Sequence, residues 1–102
     1  MKIKKQIPNE VVINGVVYSV ELAKESIDQE EEYGRISFTS RAIRIQDVGD
    51  DMLNWQTFMH EVLHGLSHHF GLNLDDTDEK HQQMDVLASV LVDTLTRSKV
   101  IV

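Results

Sequence analysis

The hydrophobic period of this chain changes once, near residue 48, and that change restricts it to a sheet followed by helices. Before residue 48, apolar residues fall in short β-branched or alternating runs; after it they recur every three or four. Val11-Val12-Ile13 and Val16-Val17-Tyr18-Ser19-Val20 flank Asn14-Gly15. An Asn-Gly pair between β-branched runs tolerates the positive φ angles of a tight turn, so a hairpin is predicted here. Pro8-Asn9 sets the start of the ordered sheet near residue 10. Gly34-Arg35-Ile36-Ser37-Phe38 and Ala42-Ile43-Arg44-Ile45-Gln46 both alternate polar and apolar, joined by Thr39-Ser40-Arg41. They predict a second hairpin with one buried face, Ile36 and Phe38 pointing one way and Ile43 and Ile45 sharing a face. Residues 23–32, between the hairpins, are acidic and weakly helical, a connection without a defined form.

Beyond the change of period, Asp50 and Asp51 offer N-caps for a helix from about Leu53 to Phe70, and Gly71 offers its stop. A polar loop, Asn73 to Asp76, follows; Thr77 or Asp78 then caps a second helix reaching about Ser98. The apolar tail Val100-Ile101-Val102 is expected to dock or to form a short strand. The predicted fold class is α+β: a small antiparallel sheet of two hairpins followed by two long helices, in a single domain spanning residues 1–102. A chain of 102 residues can bury one core and has little room for a second.

The chain has no cysteine, which removes disulfides, thiolate metal sites and cysteine nucleophiles. Any metal must be held by His, Asp or Glu. The net charge of −7 argues against nucleic acid, which needs clustered Lys and Arg. The basic groups at residues 2–5 and around Arg35, Arg41 and Arg44 read as solvated strand faces. The start Met1-Lys2-Ile3-Lys4-Lys5 lacks the apolar run of a signal peptide, and no window approaches a membrane span. A cytoplasmic protein with no membrane partner is expected. Oligomeric state leaves no mark on the sequence.

Residues 60–64 read His60-Glu61-Val62-Leu63-His64, an HExxH pattern inside the first predicted helix. Residues four apart share a helix face one turn above each other, so both imidazoles reach one ion. Glu61 sits about 100° round the helix from His60, beside the donors rather than among them. From there it can accept the proton of a water whose pKa a metal has lowered. On a helical wheel Trp55, Met59, Val62, Leu63, Leu66 and Phe70 form one apolar stripe, with His60, His64 and Ser67 along its edge.

A catalytic zinc takes three protein ligands and keeps one open position. Downstream candidates are Asp75, Asp76, Asp78, Glu79, His81 and Asp85. The second helix carries an apolar stripe of Met84, Leu87, Ala88, Leu91 and Leu95, widened by Val86 and Val90. His81 lies three residues before Met84 and seven before Ala88, on this face one turn earlier. His81 therefore fits best as third ligand. Asp85, a turn later at the stripe's edge, is placed to accept a hydrogen bond from a ligand imidazole and fix its tautomer. Asp78 suits a cap or first-turn acid, and Glu79 falls nearly opposite the stripe. His68 and His69 are expected to face mostly solvent; they, Tyr18 and Tyr33 are the candidate stabilisers of a developing oxyanion.

The block His60-Glu61-Val62-Leu63-His64-Gly65, then Glu79-Lys80-His81, then Met84-Asp85-Val86-Leu87-Ala88, resembles small phage- and prophage-encoded zinc metallopeptidase-like proteins related to the ImmA/IrrE group of gluzincin-like peptidases. Ile13-Asn14-Gly15-Val16-Val17-Tyr18 and Tyr33-Gly34-Arg35-Ile36-Ser37-Phe38 extend the resemblance over most of the chain. It implies a zincin-like core in which an HExxH helix packs on a small sheet and a second helix supplies the third zinc ligand. In that group this ligand is commonly a glutamate seven residues before the alanine of the Leu-Ala pair. Here that position is His81, which makes a three-histidine site; Glu79 is the alternative if the second helix starts later. The group includes peptidases that cut a repressor, so a protein or peptide substrate is implied. Three functions are in competition: a zinc metallopeptidase, a non-enzymatic zinc-binding module, and an inactive peptidase core acting through a protein partner.

Overall fold

The computed structural model describes residues 6–24 and 33–98. Of the predicted connection 23–32, residues 25–32 lie outside the described residues, as does the tail 99–102, while Ala23 belongs to the second strand. In chain order the elements are β1 (Glu10–Ile13), β2 (Val16–Ala23), β3 (Gly34–Ser37), β4 (Ala42–Gln46), α1 (Asp51–Phe70) and α2 (Asp78–Arg97). Both hairpins form. Asn14 and Gly15 turn the first with φ of 51° and 76°, the positive pair that an Asn-Gly turn requires. Arg41, at φ 53°, closes the turn between β3 and β4.

The hairpins meet through β2 and β4, which run parallel with Val20 opposite Ile43 and Leu22 opposite Ile45. The strand order is β1-β2-β4-β3, so β3 is an edge and the sheet is mixed but mainly antiparallel. Period-two patterning determines which face of each hairpin is buried but says nothing of how the two hairpins join. Burial made that choice: β4 is the most apolar strand of its hairpin, and in the sheet interior Ile43 and Ile45 are both wholly buried.

Helix α1 lies between the sheet and α2. Among the described residues it packs on β1, β3 and β4 on one side and on α2 on the other, while α2 packs there on α1 alone. Both caps are the predicted kind. Asp50 accepts from the amides of Met52 and Leu53 at 2.9 and 3.2 Å, and Gly71 ends the helix at φ 63°. For α2 the cap is Thr77, whose hydroxyl accepts from Lys80 N at 3.1 Å.

Being covered on two sides, α1 is buried over more than the single stripe expected. Trp55, Phe58 and Leu63 are buried, and so are Asn54, Glu61, Gly65 and Ser67. Phe70, at the end of the predicted stripe, is instead half exposed because α1 ends there beyond the sheet. The α2 stripe is also corrected. Its buried line is Met84, Ala88 and Val92, while Val86, Leu87 and Val90 are exposed because nothing among the described residues covers the far side of α2. Two clusters result. Ile13, Tyr18, Ile43, Ile45, Trp55 and Phe58 fill the space between sheet and α1, and Leu63, Met84 and Ala88 join the helices; Met59 and Leu66 touch both. Among the described residues no helix is long and apolar enough to cross a membrane.

Candidate metal centre

Among the described residues one side of α1 is left open between β3 and the first half of α2, and there they form a cleft of about 930 Å³. Its floor is a helical line of α1, namely Leu53, Gln56, Thr57, His60, Glu61 and His64. One wall is β3 with Tyr33 and Phe38 at its ends, and the other is His81, Asp85, Ala88 and Ser89 of α2.

His60, His64 and His81 come together in this cleft with one ring nitrogen of each within 4.8 Å of the others, a group able to hold a metal ion. The Nε2 atoms of His60 and His64 stand 3.1 Å apart, and those of His64 and His81 stand 3.2 Å apart. Two nitrogens at about 2.0–2.1 Å from a tetrahedral ion are about 3.3 Å apart, so the spacing fits a shared cation. The remaining nitrogens of the α1 pair each meet a carboxylate. Asp75 Oδ2 lies 2.6 Å from His64 Nδ1, and Asp85 Oδ1 lies 2.6 Å from His60 Nδ1. An Nδ1–H facing a carboxylate leaves the Nε2 lone pair for a cation.

The two carboxylates are not equivalent. Asp75 is half-buried, and a hydrogen bond from Ser67 Oγ at 3.1 Å holds it in place. The same Ser67 Oγ accepts from Leu74 N at 3.0 Å, which ties the α1–α2 loop to α1. Asp85 is mostly exposed. Its oxygen is close to His60 Nδ1 but outside hydrogen-bond alignment, leaving that nitrogen as a buried polar atom without an aligned partner. Burial, helped by the His64 and His81 rings, holds His60 below the ordinary histidine pKa against the opposing pull of Asp85. Asp75 is held below the ordinary carboxylate value by its hydrogen bonds from His64 and Ser67.

Glu61 is buried at the cleft floor against β3. The contact depends on Gly34: a Cβ there would stand 2.6 Å from Thr57 Cγ2 and 3.2 Å from Glu61 Oε2. A glycine inside a strand pattern is the signal for such close approach. Gly34 is legible in that sense, since it opens a strand in which every other position carries a side chain. Asp75 was legible only as one acid among several, because a loop residue belongs to no periodic pattern.

The remaining candidates are dispersed. Glu79 is exposed and outside the histidine cluster, and Asp76 pairs with Lys80 at 3.0 Å. Asp78 opens α2 in its first turn. His68 is exposed and stacks on Phe38 with ring centres 3.9 Å apart. His69 departs from the expected solvent exposure; it is half-buried, 2.6 Å from the hydroxyl of the buried Tyr18, whose side chain reaches the last turn of α1. Of the four candidate oxyanion stabilisers only Tyr33 lines the cleft. Arg35, read as part of a solvated strand face, also lines it.

No family model, curated protein or solved structure matches the chain. The functional reading therefore rests on the residues of the site.

Proposed function

We propose that this protein is a zinc-dependent metallopeptidase acting on a protein or peptide chain. The observation that carries the reading is the placement of a buried carboxylate, Glu61, beside three convergent imidazoles on the floor of an open cleft. Three nitrogen donors with no thiolate suit zinc. Zinc held there supplies a lowered water pKa and polarises a carbonyl oxygen. Asp75 orients His64 so that its Nε2 faces inward, while Asp85 stands beside His60 Nδ1 without an aligned hydrogen bond. Glu61 takes a proton from the attacking water as its oxygen bonds to the peptide carbonyl carbon, then delivers it to the amine nitrogen as the C–N bond breaks. The products are a carboxylate and an amine.

A substrate chain has a place to bind. Gln46 N donates to Tyr33 O at 2.8 Å, so Tyr33 and Gln46 are a hydrogen-bonded pair of the antiparallel β3–β4 ladder. Alternation then turns the backbone groups of Arg35 and Ser37 toward β4 and those of Gly34 and Ile36 toward the outer edge, which no described strand covers. An extended segment can add to that edge beside Glu61.

The second reading is a metal-stapled module without activity. What favours it is that among the described residues α2 packs on α1 alone, so an ion shared by His60, His64 and His81 would join the helices. Glu61→Gln separates the two. In a peptidase it keeps stoichiometric zinc and abolishes new protein termini relative to the wild type in a proteome-wide comparison. Identical termini from both forms, with zinc bound to both, would overturn the peptidase reading in favour of the module.

A further inference from the structure

We propose that the cleft selects polypeptide segments carrying a bulky apolar side chain about three residues from the bond that is cut, and that this side chain seats in the corner made by Tyr33, Val48 and Leu53. The proposal rests on the peptidase reading of the same site.

The corner is assembled from three separate segments: the residue before β3, the β4–α1 loop and the first turn of α1. Tyr33, Val48 and Leu53 are 62%, 40% and 50% exposed, yet all three line the same cavity as the histidines. Single exposed apolar residues are ordinary. Three of them converging on one concavity beside a cluster of polar donors form an apolar site with a few fixed polar groups.

Hydrogen bonds also hold the corner in shape. Val48 N donates to Asn54 Oδ1 at 3.2 Å, Gly49 N to Asp47 Oδ1 at 2.8 Å, and Asn54 Nδ2 to Asp47 Oδ1 at 3.0 Å. Asn54 is buried, so Val48 projects from a braced loop. A subsite on a fixed frame discriminates where a mobile one adapts.

The occupant is polypeptide because Tyr33 directly precedes β3, whose outer edge no described strand covers. A strand added beside Gly34 and Ile36 directs alternate side chains toward α1. Leu53 and Glu61 are eight residues apart on one helix, about 12 Å along its axis. That is the reach of three to four extended residues at about 3.3 Å each, which sets the distance between the selected side chain and the reacting carbonyl.

The test uses fluorescently labelled decapeptides of Ala, Ser and Gln in which one position is scanned with Leu, Phe or Ser. Each is titrated by anisotropy against zinc-loaded Glu61→Gln protein. At one position the Leu and Phe peptides bind about tenfold more tightly than the Ser peptide. Leu53→Ser and Val48→Ser bring that ratio close to one while zinc stoichiometry and thermal midpoint stay the same. Both positions are exposed enough for the fold to tolerate the change. Absence of binding, a ratio near one in the parent, or a ratio surviving both substitutions overturns the proposal. Wild-type protein with the same peptides separates the two readings. Selective binding without cleavage refutes the peptidase and leaves the subsite; cleavage without apolar preference refutes the subsite and leaves the peptidase.

Discussion

At the scale of single residues, two histidines that look alike in the HExxH pattern are held differently. His64 meets a half-buried carboxylate that Ser67 also holds, whereas His60 meets an exposed one out of alignment. Loss of such a partner weakens metal affinity by about 10- to 100-fold. Asp75→Asn is therefore expected near the upper end of that range and Asp85→Asn near the lower, measured by competition with a chelating indicator at constant pH. Equal losses would show that burial of the carboxylate does not matter here. His81→Ala should lower the affinity strongly and Glu79→Ala leave it unchanged, because Glu79 stands outside the cluster. Gly65 gives a separate test of packing. A Cβ there would stand 2.6 Å from Cδ1 of the buried Ile13 and 3.3 Å from Cδ1 of the half-buried Ile36. Overpacking costs about 1–3 kcal/mol, and the helix propensity gained over glycine returns about 1. Gly65→Ala should thus be neutral to about 2 kcal/mol destabilising in urea melts, and Gly65→Val worse.

Among the elements, α2 is the one that an ion on His60, His64 and His81 would stabilise most. Among the described residues it packs only on α1, and its buried side chains are Met84, Ala88 and Val92. Met84→Ala should cost about 2–5 kcal/mol, since it removes the largest side chain between the helices. An ion that draws His81 toward His60 and His64 adds to the same contact. On chelation, amide exchange should rise first in α2 and in the loop 72–76, with β2 and β4 protected until global unfolding. Uniform loosening of sheet and helices together would show that the helix pair is not a separate unit. The β4–α1 loop makes a parallel case. Asn54→Ala leaves Val48 N without its acceptor at an expected cost of about 1–3 kcal/mol.

For the whole molecule, pH acts on stability and on metal together. The folded-state pKa of His60 is depressed, chiefly by burial, so the unfolded chain takes up this proton first as pH falls. The stability that comes from keeping His60 neutral is present above about pH 6.5 and is lost as pH drops from there through the folded value. Asp75, also depressed, adds a second loss below about pH 3.9. Thermal midpoints of metal-free protein should therefore decline from about pH 6.5 downward. Metal affinity should decline over the same range, since the donors must be neutral to bind. A midpoint flat between pH 7 and 5 would contradict the burial of His60.

The elements and their order were legible in residue patterns, because each depends on local chemistry. Asn14-Gly15 carries its own turn, Asp50 and Thr77 carry caps, Gly71 carries a stop, and the change of period carries the passage from strands to helices. The meeting of His60, His64 and His81 was legible because helical spacing brings donors to one face, and each helix then needs only one partner. What tertiary structure decided is what joins those elements. The parallel pairing of β2 with β4 makes β3 an edge and turns Gly34 and Ile36 outward. The position of α1 between sheet and α2 buries Glu61 and Ser67, which a one-sided helix would leave in solvent. Asp75 reaches His64 from a loop, and Tyr33, Val48 and Leu53 converge from segments with no common period. Patterns record the faces of an element, whereas a cleft is the space between elements and exists only once they are packed.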